Sequence, residues 1–195
     1  MAGAFEYKHL KNFLKIWGNE VVNEAKKRLN SAGKGGGDLE KSIKSEVKAT
    51  TDAFLVEFSM ANYGTFVDKG VKGAGGEIKT GEFKGNWGGR RWFMNYKGKR
   101  QDSPYQFGTG SGGTGGMRTG IEAFVKKKGL TPTKGTVRGL EIAIMKVLWV
   151  KGIHGIGFFQ NSLMVGLSSF KLDMAPEVKE DIIDTLVTFP NITRA

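Results

Sequence analysis

Sixteen of this chain's 30 glycines fall between Gly70 and Gly120. Average glycine usage of about 7% would give roughly 14 in a whole chain of 195 residues. Glycine has no side chain to bury and the most backbone freedom to lose on ordering. A stretch of this composition is not one long helix or strand, so the core has to come from the segments on either side. The part from 107 to 120, FGTGSGGTGGMRTG, has the composition of a flexible linker. Only four prolines are present, which excludes collagen and a proline-rich spacer.

The flanking sequence carries regular apolar spacing. Leu10, Phe13, Leu14, Trp17, Val21, Val22, Ala25 and Leu29 recur in steps of mainly three and four, which predicts an amphipathic helix ending near Ser31. Asp38 reads as the N-cap of a short turn through Leu39 and Ile43. Val47 and Ala49, then Phe54, Val56, Phe58 and Met60, alternate with polar neighbours. With a turn at Thr50, Thr51 and Asp52, this predicts an antiparallel hairpin. Residues 61–70 suit a short helix closed by Gly70.

Beyond the glycine-rich middle, Val137, Leu140, Ile144, Val147 and Leu148 predict a buried helix over about 136–150, broken by Gly152, Gly155 and Gly157. An amphipathic run follows through Phe158, Leu163 and Leu167. A last, acidic helix is expected to begin near Asp173 with Pro176 in its first turn. Its apolar face is Val178, Ile182, Ile183, Leu186 and Val187, and Pro190 ends it. The fold class is α+β: a small antiparallel sheet packed by N-terminal, central and C-terminal helices. Residues 1–70 and 134–195 form one body, and 71–133 form a basic, aromatic, glycine-rich insertion arm.

Hydrophobic residues at 39% and charged ones at 25% are enough for a packed core. Cysteine is absent, which excludes disulfides, Cys-based zinc or iron–sulfur sites and a thiol nucleophile. The two histidines, His9 and His154, lie far apart and read as surface or turn residues. The pairs Gly33-Lys34 and Gly98-Lys99 lack the spacing and hydroxyl residue of a phosphate loop, and no G-x-S-x-G elbow occurs. No catalytic, cofactor-binding or metal-binding residue is assigned, and the chain reads as a non-enzyme. The enzyme alternative would join His154 to an acid or a nucleophile. No apolar run approaches the roughly 18 residues that cross a bilayer. Glu6, Lys8, His9 and Lys11 interrupt the start, so the expected setting is cytoplasmic, without a membrane partner.

The net charge is +11, from 30 basic and 19 acidic residues, which points to an acidic partner. Between Lys84 and Arg100 there are six basic residues and no acidic one, interleaved with aromatics. Trp87, Arg90, Arg91, Trp92, Phe93, Tyr96 and Arg100 are the candidate subunit-interface residues, because Trp, Tyr and Arg are the usual anchors of protein contacts. The alternative is a nucleic-acid-binding module that stacks bases on these aromatics and neutralises phosphates with the arginines. A third reading makes the aromatics the insertion's own small core.

Three segments carry a family resemblance: GDLEKSIK at 37–44, YGTFVDKG at 63–70 and GFFQNSL at 157–163. In this order around a hairpin, they resemble the tailed-phage family of tail-completion and head–tail joining (neck) proteins. The insertion at 71–133 is much longer than the family's loop. The resemblance implies a virion protein assembled in the host cytoplasm, with no catalysis. It implies a homo-oligomeric ring, six-fold favoured and twelve-fold the alternative, between portal or adaptor proteins and tail-tube proteins. DNA would meet it only by passing through the lumen.

Overall fold

The computed structural model describes residues 7–50, 53–78, 85–87, 92–107 and 115–188. The chain divides into two compact units, one of Met1–Gly64 with Phe158–Ala195, the other of Thr65–Gly157. The fold is α+β, with helices and small two-stranded antiparallel sheets.

The first unit is built on α1 (Lys8–Ser31), packed against α6 (Phe158–Thr188). The predicted stripe is what α1 buries: Leu14, Trp17, Val21, Val22, Ala25 and Leu29. Between them come α2 (Asp38–Ser42) and the hairpin of β1 (Lys44–Ala49) and β2 (Phe54–Ser59). Its register pairs Val47 with Val56 and Ala49 with Phe54 on the inner face, as the alternation predicts. Trp17 closes the unit. Its ring meets Phe58 and Phe170 edge-on, and its indole N–H donates to the Gly166 carbonyl at 3.0 Å. A Cβ at Gly166 would lie 2.8 Å from Val21, so glycine there lets the two helices approach closely. Asp38 is one place inside the helix it was expected to cap: Gly37 is the N-cap, and Asp38 lies in the first turn, where a carboxylate suits the positive end of the helix. Thr51 and Asp52 of the expected turn lie outside the described residues.

The amphipathic run from Phe158 and the last helix expected from sequence are one helix. α6 runs for 31 residues with Pro176 in its interior. Proline there removes the N–H that would bond the Leu172 carbonyl. Leu172 is 79% exposed, in open solvent where water can take that carbonyl, so the helix continues. Ile182 and Ile183, expected on the buried face, are exposed. The side chains of Leu186 and Val187, and Pro190 itself, lie outside the described residues.

The second unit contains α3 from Thr65 onward (helix Gly64–Lys69), β3 (Val71–Lys72), β4 (Gly76–Ile78), β5 (Gly85–Trp87), β6 (Trp92–Met94), β7 (Arg100–Asp102), α4 (Gly115–Lys128), α5 (Val137–Lys151) and β8 (Gly152–Ile153). β3 pairs with β8, β4 with β5 and β6 with β7, all antiparallel. Here the structure departs from the body-and-arm division. The described parts of 71–133 form hairpins and a helix, and α5 belongs with them, not with the terminal segments. Part of the glycine content has a packing reason. Gly70 has φ +73°, and a Cβ at Gly70, Gly73 or Gly155 would run into backbone atoms of the facing segment. Val67 and Asp68 carbonyls accept from the Ile156 and Gly157 N–H groups across this seam. Residues 115–120, expected as linker, open α4, which buries Ile121 and Val125.

Thr136 caps α5: its hydroxyl oxygen accepts the Gly139 N–H at 3.1 Å. Thr136→Ala is expected to cost about 1 kcal/mol, read as a lower denaturant midpoint.

Candidate interaction site

The segment singled out by its aromatic and basic residues becomes a hairpin over part of its length. β6 and β7 pair Trp92 with Asp102, Phe93 with Gln101 and Met94 with Arg100. Trp92, Met94, Arg100 and Asp102 share one face, and Phe93 points to the other. Phe93 is 3% exposed, so it serves as the hairpin's root in the core. Trp92 is half-buried and engaged within its own unit. The Arg100 guanidinium lies 4.3 Å from its ring centroid, and the His154 ring meets it edge-on at 4.7 Å. Asp102, the hairpin's acidic residue, pairs with Lys72 at 3.6 Å.

The turn between the strands is fixed by one side chain. The Asn95 side-chain oxygen accepts from the Lys97 N–H at 3.0 Å and from the Lys99 N–H at 2.9 Å. The Asn95 N–H donates to the Lys99 carbonyl, the Gly98 N–H donates to the Asn95 carbonyl, and Gly98 takes φ +71°. Tyr96, Lys97, Lys99 and Arg100 are all exposed on this pinned turn, with the Lys97 ammonium 5.4 Å from the Tyr96 ring. The sequence counts Lys97 and Lys99 among the six basic residues of 84–100, but only Tyr96 and Arg100 of this turn were expected at the interface, and Asn95 carried no expectation. An Asn three residues before a Gly is the turn signal that could have found them.

Of the other expected interface residues, Trp87 contributes its backbone to β5, opposite Gly76. Arg90 and Arg91 lie outside the described residues. The structure therefore brings Trp92, Phe93, Tyr96 and Arg100 into one hairpin and uses two of them for internal packing.

Charge is partitioned between the units. Seventeen of the 30 basic residues but only six of the 19 acidic ones lie in Thr65–Gly157. That unit carries the whole +11, and the other balances with 13 of each sign. The acidic end of α6 is in part occupied by its own unit: Asp181 bonds the start of α1, and His9 lies 3.1 Å from Asp184.

Apolar surface is left open on two helices. On α6, Val165, Leu172, Pro176 and Ile183 are spaced seven, four and seven residues apart, which aligns them on one stripe roughly 27 Å long. All four are exposed. The opposite face holds Gly166, Phe170 and Asp181, the residues that meet α1. On α5 only Val150 is buried, while Val137, Ile142 and Trp149 are exposed, Trp149 stacking on Phe107. A helix apolar on all sides is normally covered on all sides.

Concave features offer less. A groove of about 530 Å³ lined by Asp38, Lys41, Lys44, Ser59 and Met60 is wide open to solvent. Among the described residues no cluster of His, Asp and Glu has the arrangement to hold a metal, and no helix is long and apolar enough to cross a membrane. His154 is exposed beside Trp92, just after β8. No protein-family model, curated protein or solved structure matches the chain.

Proposed function

We propose that this chain is a non-enzymatic structural subunit that closes into a homo-oligomeric ring, and that the ring is part of a tailed-phage neck, between portal or adaptor and tail tube. The observation that carries the ring is the exposed apolar stripe of α6. Val165, Leu172 and Ile183 face solvent on a helix whose other side is already packed. Leaving such a stripe wet forgoes roughly 25 cal/mol for each Å² that a neighbour would cover. A stripe of this kind, contacting a different patch on the next subunit, makes a heterologous interface, which gives a ring where the rotation between neighbours closes and an open filament where it does not. The apolar side chains of α5 supply a second contact of the same kind.

The neck assignment rests on the resemblance. Its three segments fall on α2 with the start of β1, on α3 with Gly70, and on the start of α6. These flank the hairpin, in the order the resemblance implies. Trp92 and Phe93 hold the β6–β7 hairpin together within the subunit, so lateral contact falls to the helices. Tyr96 and Arg100 stay on the surface for another partner. The ring is expected to have six subunits, with twelve as the alternative, and to sit in the virion.

Negative-stain imaging of the purified protein tests this reading. Closed rings of uniform subunit number with a central hole are the expected result. Dispersed single subunits at every concentration would refute it.

A further inference from the structure

We propose that the turn of the β6–β7 hairpin binds the phosphodiester backbone of duplex DNA, without sequence preference. The turn places Lys97, Lys99 and Arg100 within four residues, all exposed. Three like charges that close repel one another, yet the Asn95 side chain pins the backbone that holds two of them. Arg100 is positioned in turn by the face of Trp92. The nearest carboxylate in the hairpin, Asp102, is engaged by Lys72 and does not neutralise the turn. The arrangement is a preorganised cationic tip on the unit that carries the whole net charge of the chain.

The chemistry of the tip selects its partner. Lysine is depleted at the centre of protein–protein contacts, which favour apolar and aromatic surface. Protein–DNA contacts are far more cationic, and lysine meets phosphate as a point charge. Unpaired bases need open aromatic faces to stack on. Here the Trp92 face is covered by Arg100 and its ring is met by His154, which leaves Tyr96, with the Lys97 ammonium 5.4 Å from its ring, as a lone exposed aromatic among three cations, so the tip offers charge rather than a row of stacking faces. A duplex presents its charge on the outside and asks only for cations. The proposal does not depend on ring formation, because a single subunit already has the tip.

The test is fluorescence-anisotropy binding of the full chain to a 30-bp duplex of random sequence across a salt series. Each phosphate contact contributes about 0.9 to the slope of log affinity against log salt. K97Q/K99Q/R100Q is expected to weaken binding at low salt on the order of tenfold and to flatten the slope by about 2 to 3. K97Q/K99Q, which keeps the Arg100–Trp92 contact, should give about two-thirds of that flattening. K126Q/K127Q/K128Q, at the end of α4, should leave the slope nearly intact. Circular dichroism should show every variant folded. No binding by the wild type, equal losses in the α4 variant, tighter binding to the single strand of equal length, or equal competition by polyglutamate of matched charge would each overturn the proposal.

Discussion

Asp181→Ala is expected to cost about 3 kcal/mol, through two charge-assisted hydrogen bonds lost in a buried setting. Asp181 is 1% exposed. Its two carboxylate oxygens accept the His9 and Leu10 backbone N–H groups, each at 2.8 Å. These are the second and third residues of α1, the donors an N-cap side chain normally takes. The N-cap here is Tyr7, which makes no capping bond, and the first turn of α1 has no acidic residue. The cap is therefore supplied by α6, 172 residues further along the chain. The carboxylate also faces the positive end of the α1 dipole. Removing it leaves two N–H groups without partners and unties the two helices that form the first unit. The melting temperature should fall by about 10 °C. Asp184→Ala is the control. Its contact with His9 at 3.1 Å is exposed, and its loss should cost no more than about 0.5 kcal/mol.

Gly155→Ala should be as damaging in the second unit. A Cβ there would lie 2.5 Å from the Gly70 nitrogen and 2.6 Å from the Asp68 oxygen, and would also press on the Lys69 carbonyl carbon. All three are backbone atoms, so no side chain can turn aside. Overpacking against such neighbours costs about 3 kcal/mol and would open the seam between 67–73 and 150–157. Gly120→Ala, in an exposed turn of α4 with nothing within 4 Å, should instead gain up to about 1 kcal/mol. A pair of opposite signs in chemical denaturation separates glycines needed for close approach from those that only dilute the sequence.

Local periodicity made much of this fold legible. α1 and the β1–β2 hairpin follow from spacing alone, because each alternates buried and wet positions at its own period. α5 is a helix as its spacing predicts, but of its apolar residues only Val150 is buried. α6 was harder to read. Proline is a strong stop signal, and only the solvent around Leu172 shows why the helix passes through Pro176. Asp181 looked like one more acid on a wet face, since nothing nearby in sequence tells that α1 lacks a cap. The middle is hard to read for a related reason. Glycines that permit backbone contact, such as Gly73 and Gly155, have the same composition as glycines in a linker. The candidate site was visible in part: the aromatic and basic residues stood out. Which of them are roots, as Phe93 is, and which are surface, as Tyr96 is, depends on strand register.

The stripe on α6 is the centre of this account, and the mass of the particle in solution tests it most directly. Native mass spectrometry of the wild type should show one assembly at a fixed multiple of 21.3 kDa. Leu172→Asp with Ile183→Asp should give a folded single subunit, since both side chains face solvent and their exchange leaves the α1 contact intact. A wild type that stays at 21.3 kDa at every concentration, or a double variant that assembles to the wild-type mass, would contradict it.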